Sequence, residues 1–196
     1  MRYALPMAQS APRMTPAEYL ARERTSEEKH VFWDGEVFAI AGASRVHNRI
    51  VAALLRDLGV RLLGAPCQPY ASDQRIRIPK TQRYVYPDAS VTCPPVEMDP
   101  VDADTIQNPR VVFEVLSEST EAFDRGEKFA GYRTVPSLDE YVLLSQKEPR
   151  VEHFARQGDG SWVLRAFGGN DVVPLPSLGV ELSIEALYAG IALDGA

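Results

Sequence analysis

Pro87-Asp88 stands in the run YVYPDASVTC, and Glu114 stands inside the apolar run RVVFEVLS. Behind them, STEAFDRGEKFAGYRTV sets Thr120, Asp124, Lys128 and Tyr132 at successive four-residue steps, the spacing of one helix face. A carboxylate in the middle of a Val/Phe/Leu strand costs several kcal/mol, on the order of a buried-charge penalty, unless a cation pairs with it. A divalent metal shared by Asp88 and Glu114 is one such cation, and it activates water while neutralising developing charge. Lys128, on the next helix, is placed to swing its ammonium over the strand ends and stabilise an attacked phosphate. The chemistry this set suggests is metal-dependent hydrolysis of a phosphate ester.

Each residue also has a plainer reading. Asp88 after a proline ends a turn. Asp124 and Lys128 make an ordinary surface ion pair of roughly 0.3–0.5 kcal/mol. Tyr132 packs with a polar tip. His47, in the first turn of its helix, is either structural or a phosphate or acid/base group. Asp73, two residues ahead of Arg75, is a minor third carboxylate. The loop acids Asp99, Asp102 and Asp104 lack the glycine and terminal Glu of a calcium loop and read as solvated. His30 and His153 have no metal-ligand spacing.

Elements that position these residues follow from pattern. Thr15-Pro16-Ala17-Glu18 is a capping box opening a short helix to about residue 24. HVFWDGEVFAIAG reads as a hairpin turning at Asp34-Gly35. Ser44 caps a helix over roughly 45–63, whose stripe from Val46 to Leu62 packs on a sheet, with Arg45, Arg49 and Arg56 on the other side. SDQRIRI and YVYPDASVTC are strands around the turn PKTQR. PPVEMDPVDADTIQNP is a Pro- and Asp-rich loop, and RVVFEVLS suits a central strand buried on both faces. A helix over about 121–133 follows, then strands EYVLLS, RVEHFARQ and SWVLRAF, then a short helix in LSIEALYAG. The expectation is one α/β (α+β) domain over 14–196, a mixed central sheet flanked by helices with an extra N-terminal hairpin, after a flexible tail over 1–13. Met14 precedes a clean helix start and is a second candidate initiator beside Met1.

The chain has 196 residues, 45% hydrophobic and 24% charged, enough for a sizeable core. Its net charge of −6 supplies no global field for nucleic acid or an anionic membrane. Any nucleic-acid contact must be local; Arg75, Arg77, Lys80 and Arg83 form one candidate patch, and a solvated hairpin is its plainer reading. Two cysteines, Cys67 and Cys93, make neither a disulfide framework nor a zinc quartet, so a reducing cytoplasm is the default compartment. No apolar run approaches the roughly 18 residues of a membrane span, and the first residues lack the apolar core of a signal peptide.

The ordered set WDGEVFAIAGAS with His47-Asn48, Tyr86-Pro87-Asp88, Glu114-Val115-Leu116-Ser117, then Thr120, Asp124, Lys128, Tyr132 and finally EYVLL resembles the PD-(D/E)XK restriction-endonuclease-like superfamily, and within it the Uma-type family. The resemblance covers about residues 15–190. It implies a restriction-endonuclease-like fold, Mg²⁺ or Mn²⁺ held by Asp88, Glu114 and the Val115 carbonyl, DNA as substrate, and a homodimer. Arg45, Arg49 and the basic hairpin are the candidates to touch the DNA backbone. Leu116 stands where the motif's lysine falls, so Lys128 is the replacement candidate. Val31 stands where the family tends to carry a Glu, with Glu28 and Glu36 nearby. The rival expectations are a catalytically degraded nuclease fold serving as a DNA- or protein-binding module, and a hydrolase of another phosphate ester.

Overall fold

A computed structural model describes residues 13–193. The tail expected over 1–13 lies outside the described residues, apart from Arg13. Helix α1 (Pro16–Glu23) opens as expected: Thr15 Oγ1 accepts the Glu18 N–H, and the Glu18 carboxylate accepts the Thr15 N–H. Strands β1 (His30–Trp33) and β2 (Glu36–Ala39) follow. Their turn residues Asp34 and Gly35 have φ of 52° and 88°, the left-handed pair that a two-residue hairpin requires. Helix α2 (Arg45–Arg61) is capped by Ser44, whose hydroxyl accepts the His47 N–H.

The expected mixed central sheet is present, and a second six-stranded mixed sheet, which takes in the N-terminal hairpin, accompanies it. The run YVYPDASVTC is the reason. Pro87 has no N–H for a ladder, and the strand breaks there into β5 (Arg83–Val85) and β6 (Ala89–Thr92), which belong to different sheets. The first sheet also takes β4 (Arg75–Ile78), β7 (Met98–Asp99) and β8 (Asp102–Ile106), in the order β2-β1-β5-β4-β8-β7. The second contains β3 (Gln68–Ala71), β9 (Pro109–Val115), β10 (Glu140–Leu144), β11 (Arg150–Arg156) and β12 (Trp162–Gly168), in the order β12-β11-β10-β9-β6-β3. A separate hairpin, β13 (Val172–Leu175) with β14 (Val180–Ser183), leads to helix α5 (Ile184–Tyr188).

The stretch 94–109, expected to be loop, contains β7 and β8 and ends on the first residue of β9. Asp99 and Asp102 are buried, not solvated. Asp102 takes Arg75 and Arg24, and Asp99 takes Arg77 and the Tyr84 hydroxyl. Pairing with distant arginines overrides the local polarity that reads as loop. Burial works to raise the Asp102 carboxyl, but hydrogen bonds from Thr105, Arg75 and Arg24 outweigh it and hold it below its ordinary value. The cysteines are also not the free thiols expected: Cys67 and Cys93, beside the paired ends of β3 and β6, form a disulfide.

Strand periodicity divides the core around β9. Val111, Phe113 and Val115 face Ile50, Leu54 and Leu58 of α2, joined by Leu182, Ile184 and Leu187. Val112 and Leu116 face the other way, toward Ile76, Ile78 and Val85 of the first sheet and toward Phe129, Tyr132 and Tyr141. Glu114 lies on this second face, in the apolar layer between the sheets. The hairpin's inner side, Phe32 with Val37, packs on Tyr19 of α1.

Candidate active site

Asp88 sits at the seam where the chain passes from the first sheet to the second, and three groups fix this seam. The Val115 N–H donates to Asp88 Oδ2 at 2.7 Å, and His47 Nε2 lies 3.1 Å from the same oxygen. Beneath, the Tyr86 hydroxyl accepts from Arg75 at 2.8 Å and donates to Glu23 at 2.9 Å, which also holds His30. The first turn of α2 brings His47 over the edge of β9, which explains its contact with a residue 41 positions away in a different element.

Glu114 is 2% exposed. Its cation is Lys128: the ammonium stands 2.8 Å from Glu114 Oε1 and 3.1 Å from Asp124 Oδ1. The Asp124 contact is a hydrogen bond. The approach to Glu114 is a buried ion pair. Burial pushes the Glu114 carboxyl well above its usual range; Lys128 opposes that, and Asp124 and Asp88 add to it. Burial works to lower Lys128, but Glu114, Asp124 and Asp88 outweigh it and raise it above its ordinary value. Tyr132 is fully buried, and burial with the nearby Glu114 carboxylate raises its phenol well above normal.

The expected helix over 121–133 is interrupted, and the interruption aims these side chains. Helix α3 (Glu121–Phe123) passes into a π-helical turn at Asp124–Lys128 and then into α4 (Phe129–Tyr132). Wide turns of this kind recur at functional sites because they redirect side chains within a helix. Here Asp124 and Lys128 turn inward while Arg125, Gly126 and Glu127 stay exposed.

Asp88, Glu114, Val115, Asp124, Lys128, His47 and Thr120 all line one cavity of about 1840 Å³. The donor set fits a hard divalent cation: the Asp88 and Glu114 carboxylates line one cavity together with Val115, and the buried Glu114 Oε1 has the Lys128 ammonium as its partner. Among the described residues no three His, Cys, Asp or Glu side chains converge on one point.

The structure does not bring the expected cations to this cavity. Arg75 is buried against Asp102 and Thr105, and Arg77 is bound to Asp99. Arg83 holds Asp34 at 2.6 Å, with its guanidinium 3.7 Å from the Trp33 ring centre. The basic hairpin is therefore mostly internal structure, a correction that follows from acids far away in sequence. Lys80 is exposed on its turn, and Arg45 and Arg49 are exposed on α2, none of them lining the cavity. Asp73 is exposed, pairs with Lys29 at 2.7 Å and also lies outside the cavity lining. Sequence reasoning read Ser44 as a helix cap and missed its second contact: the hydroxyl donates to Gln146 at 2.6 Å and ties α2 to the segment after β10. No local pattern signals that pair.

A family model described as "Putative restriction endonuclease" and named Uma2 matches residues 16–186. Two uncharacterized proteins of Synechocystis are similar to this chain. One, slr1290, is 37% identical over 181 residues, covering 92% of this chain and 94% of the relative. The other, sll1609, is 39% identical over 158 residues, covering 81% and 89%. A crystal structure of a "putative nuclease" from Anabaena variabilis superposes with a TM-score of 0.75 at 16% identity, over 91% of this chain and 99% of that one, which extends the likeness of fold. With its motif residues gathered at one cavity and the family match running from α1 into α5, the chain belongs to the restriction-endonuclease-like Uma2 family.

Proposed function

We propose that this chain is a divalent-metal-dependent endonuclease that hydrolyses phosphodiester bonds in DNA. The observation that carries the reading is the approach of the Lys128 ammonium to within 2.8 Å of Glu114. It supplies from the helix the cation that Leu116 does not supply from the strand. Asp88, Glu114 and the Val115 carbonyl would hold Mg²⁺ or Mn²⁺. When bound, the ion supplies Lewis acidity that lowers the pKa of a water and offsets charge on the attacked phosphate. Lys128 stays protonated, because its carboxylate neighbours raise its pKa. It therefore acts as a fixed positive charge toward phosphate oxygens and not as a base. His47 and the Val115 N–H hold the Asp88 carboxylate in one orientation. Asp124 keeps Lys128 in place.

Leu116 at the motif's lysine position favours one rival reading, a catalytically silent binding module on the same fold. By the resemblance, the protein works as a homodimer, which sedimentation would read. Mn²⁺ calorimetry on the wild type and Glu114→Ala tests the metal site: binding that disappears in the variant is expected. Absence of binding in both, together with no cleavage of single- or double-stranded DNA, would leave the binding module as the function.

A further inference from the structure

The cavity's charge and its walls do not suit a DNA duplex. Nine carboxylates and five Lys or Arg side chains line it. Four of those five, Arg125 and Lys128 among them, are already in ion pairs, and among the described residues only Lys147 has none. A duplex carries one negative charge per about 1.7 Å of axis, and proteins that grip it neutralise on the order of 6–10 phosphates. The site offers no such set of free cations, and the arginines expected to track the backbone are elsewhere.

What the site does offer is an apolar wall. The β1–β2 register pairs Val31 with Phe38, so Val31, Trp33 and Phe38 share the hairpin face opposite the one packed on α1. All three line the cavity, with Ile40 beside them and Phe123 edge-on to Trp33 at 4.8 Å. Phe38 is 49% exposed, although it is a large apolar side chain, and it lines the same cavity as Asp88, Glu114 and Lys128. A flat, exposed aromatic ring on the wall of the cavity that holds the proposed centre matches the uncharged face of a base. A single strand that threads one or two of its phosphates past the acids meets far less repulsion than a duplex does.

We infer that this site takes single-stranded DNA, with a base stacked on Phe38 along the hairpin wall and its adjoining phosphate at Lys128. The inference rests on the nuclease reading above and names its substrate form. Stacking on a protein ring binds any base, so the expected preference is for strandedness and not for sequence.

The test is fluorescence anisotropy with a labelled phosphorothioate 20-mer and its duplex, in Mg²⁺, on the wild type, Phe38→Ala and Phe38→Trp. The expected result is at least about tenfold tighter binding of the single strand, on the order of a tenfold loss in Phe38→Ala, and recovery in Phe38→Trp. Equal or tighter duplex binding, no binding of either form, or an unchanged Phe38→Ala would overturn it. Mn²⁺ calorimetry on the same samples separates the two ideas: intact metal binding with no strand preference defeats this inference alone. Lost metal binding in the wild type defeats the nuclease reading beneath it.

Discussion

Replacing Lys128 with Met should move metal affinity and catalysis in opposite directions. The ammonium is 2.8 Å from Glu114 and 3.1 Å from Asp124, with all three groups buried. Two unit charges about 4 Å apart at an effective dielectric of about 20 interact by roughly 4 kcal/mol. Removing Lys128 withdraws that attraction from both carboxylates, and breaking a buried pair costs about 3–5 kcal/mol. Protonation of Glu114, whose pKa is already pushed up by burial, recovers part of the loss. A divalent cation approaching Glu114 meets the ammonium as a like charge, so removing it relieves a repulsion of the same scale. At pH 8, where proton competition is weakest, Mn²⁺ affinity should rise by at least about tenfold, which is about 1.4 kcal/mol. Cleavage should fall by on the order of 10²–10³, because no fixed cation faces the phosphate. Calorimetry and single-turnover cleavage of a labelled oligonucleotide read the two effects, and urea unfolding reports the stability cost. Weaker Mn²⁺ binding together with a wild-type cleavage rate would refute the reasoning.

Other predictions concern the frame. Asp102 is held below its ordinary value in the fold, so its contribution is complete above about pH 3.8 and is lost as pH falls through the lower folded value. Urea midpoints between pH 6 and 3 should therefore fall less steeply in Asp102→Asn than in the wild type, from a lower starting stability. Cys93→Ser opens a cross-link with a sequence separation of 26 and should cost about 3.5 kcal/mol by loop entropy, with dithiothreitol reproducing the loss in the wild type. Tyr132→Phe removes a buried hydroxyl that lacks a hydrogen bond, so the variant should be neutral or about 1 kcal/mol more stable by chemical denaturation. A loss of more than about 1 kcal/mol would mean that the hydroxyl is bound.

Elements governed by nearby residues were legible in the sequence. The capping box, the Asp34-Gly35 hairpin, the apolar stripe of α2 and the buried run of β9 each announce themselves within a few residues. Glu114 and Lys128 were legible for the same reason: a charge in an apolar strand and a four-residue helical step are local signals. What escaped depends on partners far along the chain. Asp99 and Asp102 read as a solvated loop until Arg77 and Arg75 arrive from another strand. One proline divides YVYPDASVTC between two sheets, yet the residues around it keep strand character throughout. The π-helical turn leaves no compositional trace, since Asp124 and Lys128 remain four apart whether the turn is wide or ordinary.

Asp88 is a rivet as well as a candidate ligand. Through the Val115 N–H, its carboxylate fastens the point where the chain leaves one sheet and joins the other. Over evolutionary time this gives the site's residues unequal lifetimes. On the nuclease reading proposed above, a lineage that stopped cutting DNA would still need Asp88 to assemble its sheets, while the buried Glu114–Lys128 pair is exchangeable for well-packed apolar side chains. On that reading, a surviving Pro-Asp among relatives marks the architecture, and the joint survival of Glu114 and Lys128 marks those that cleave.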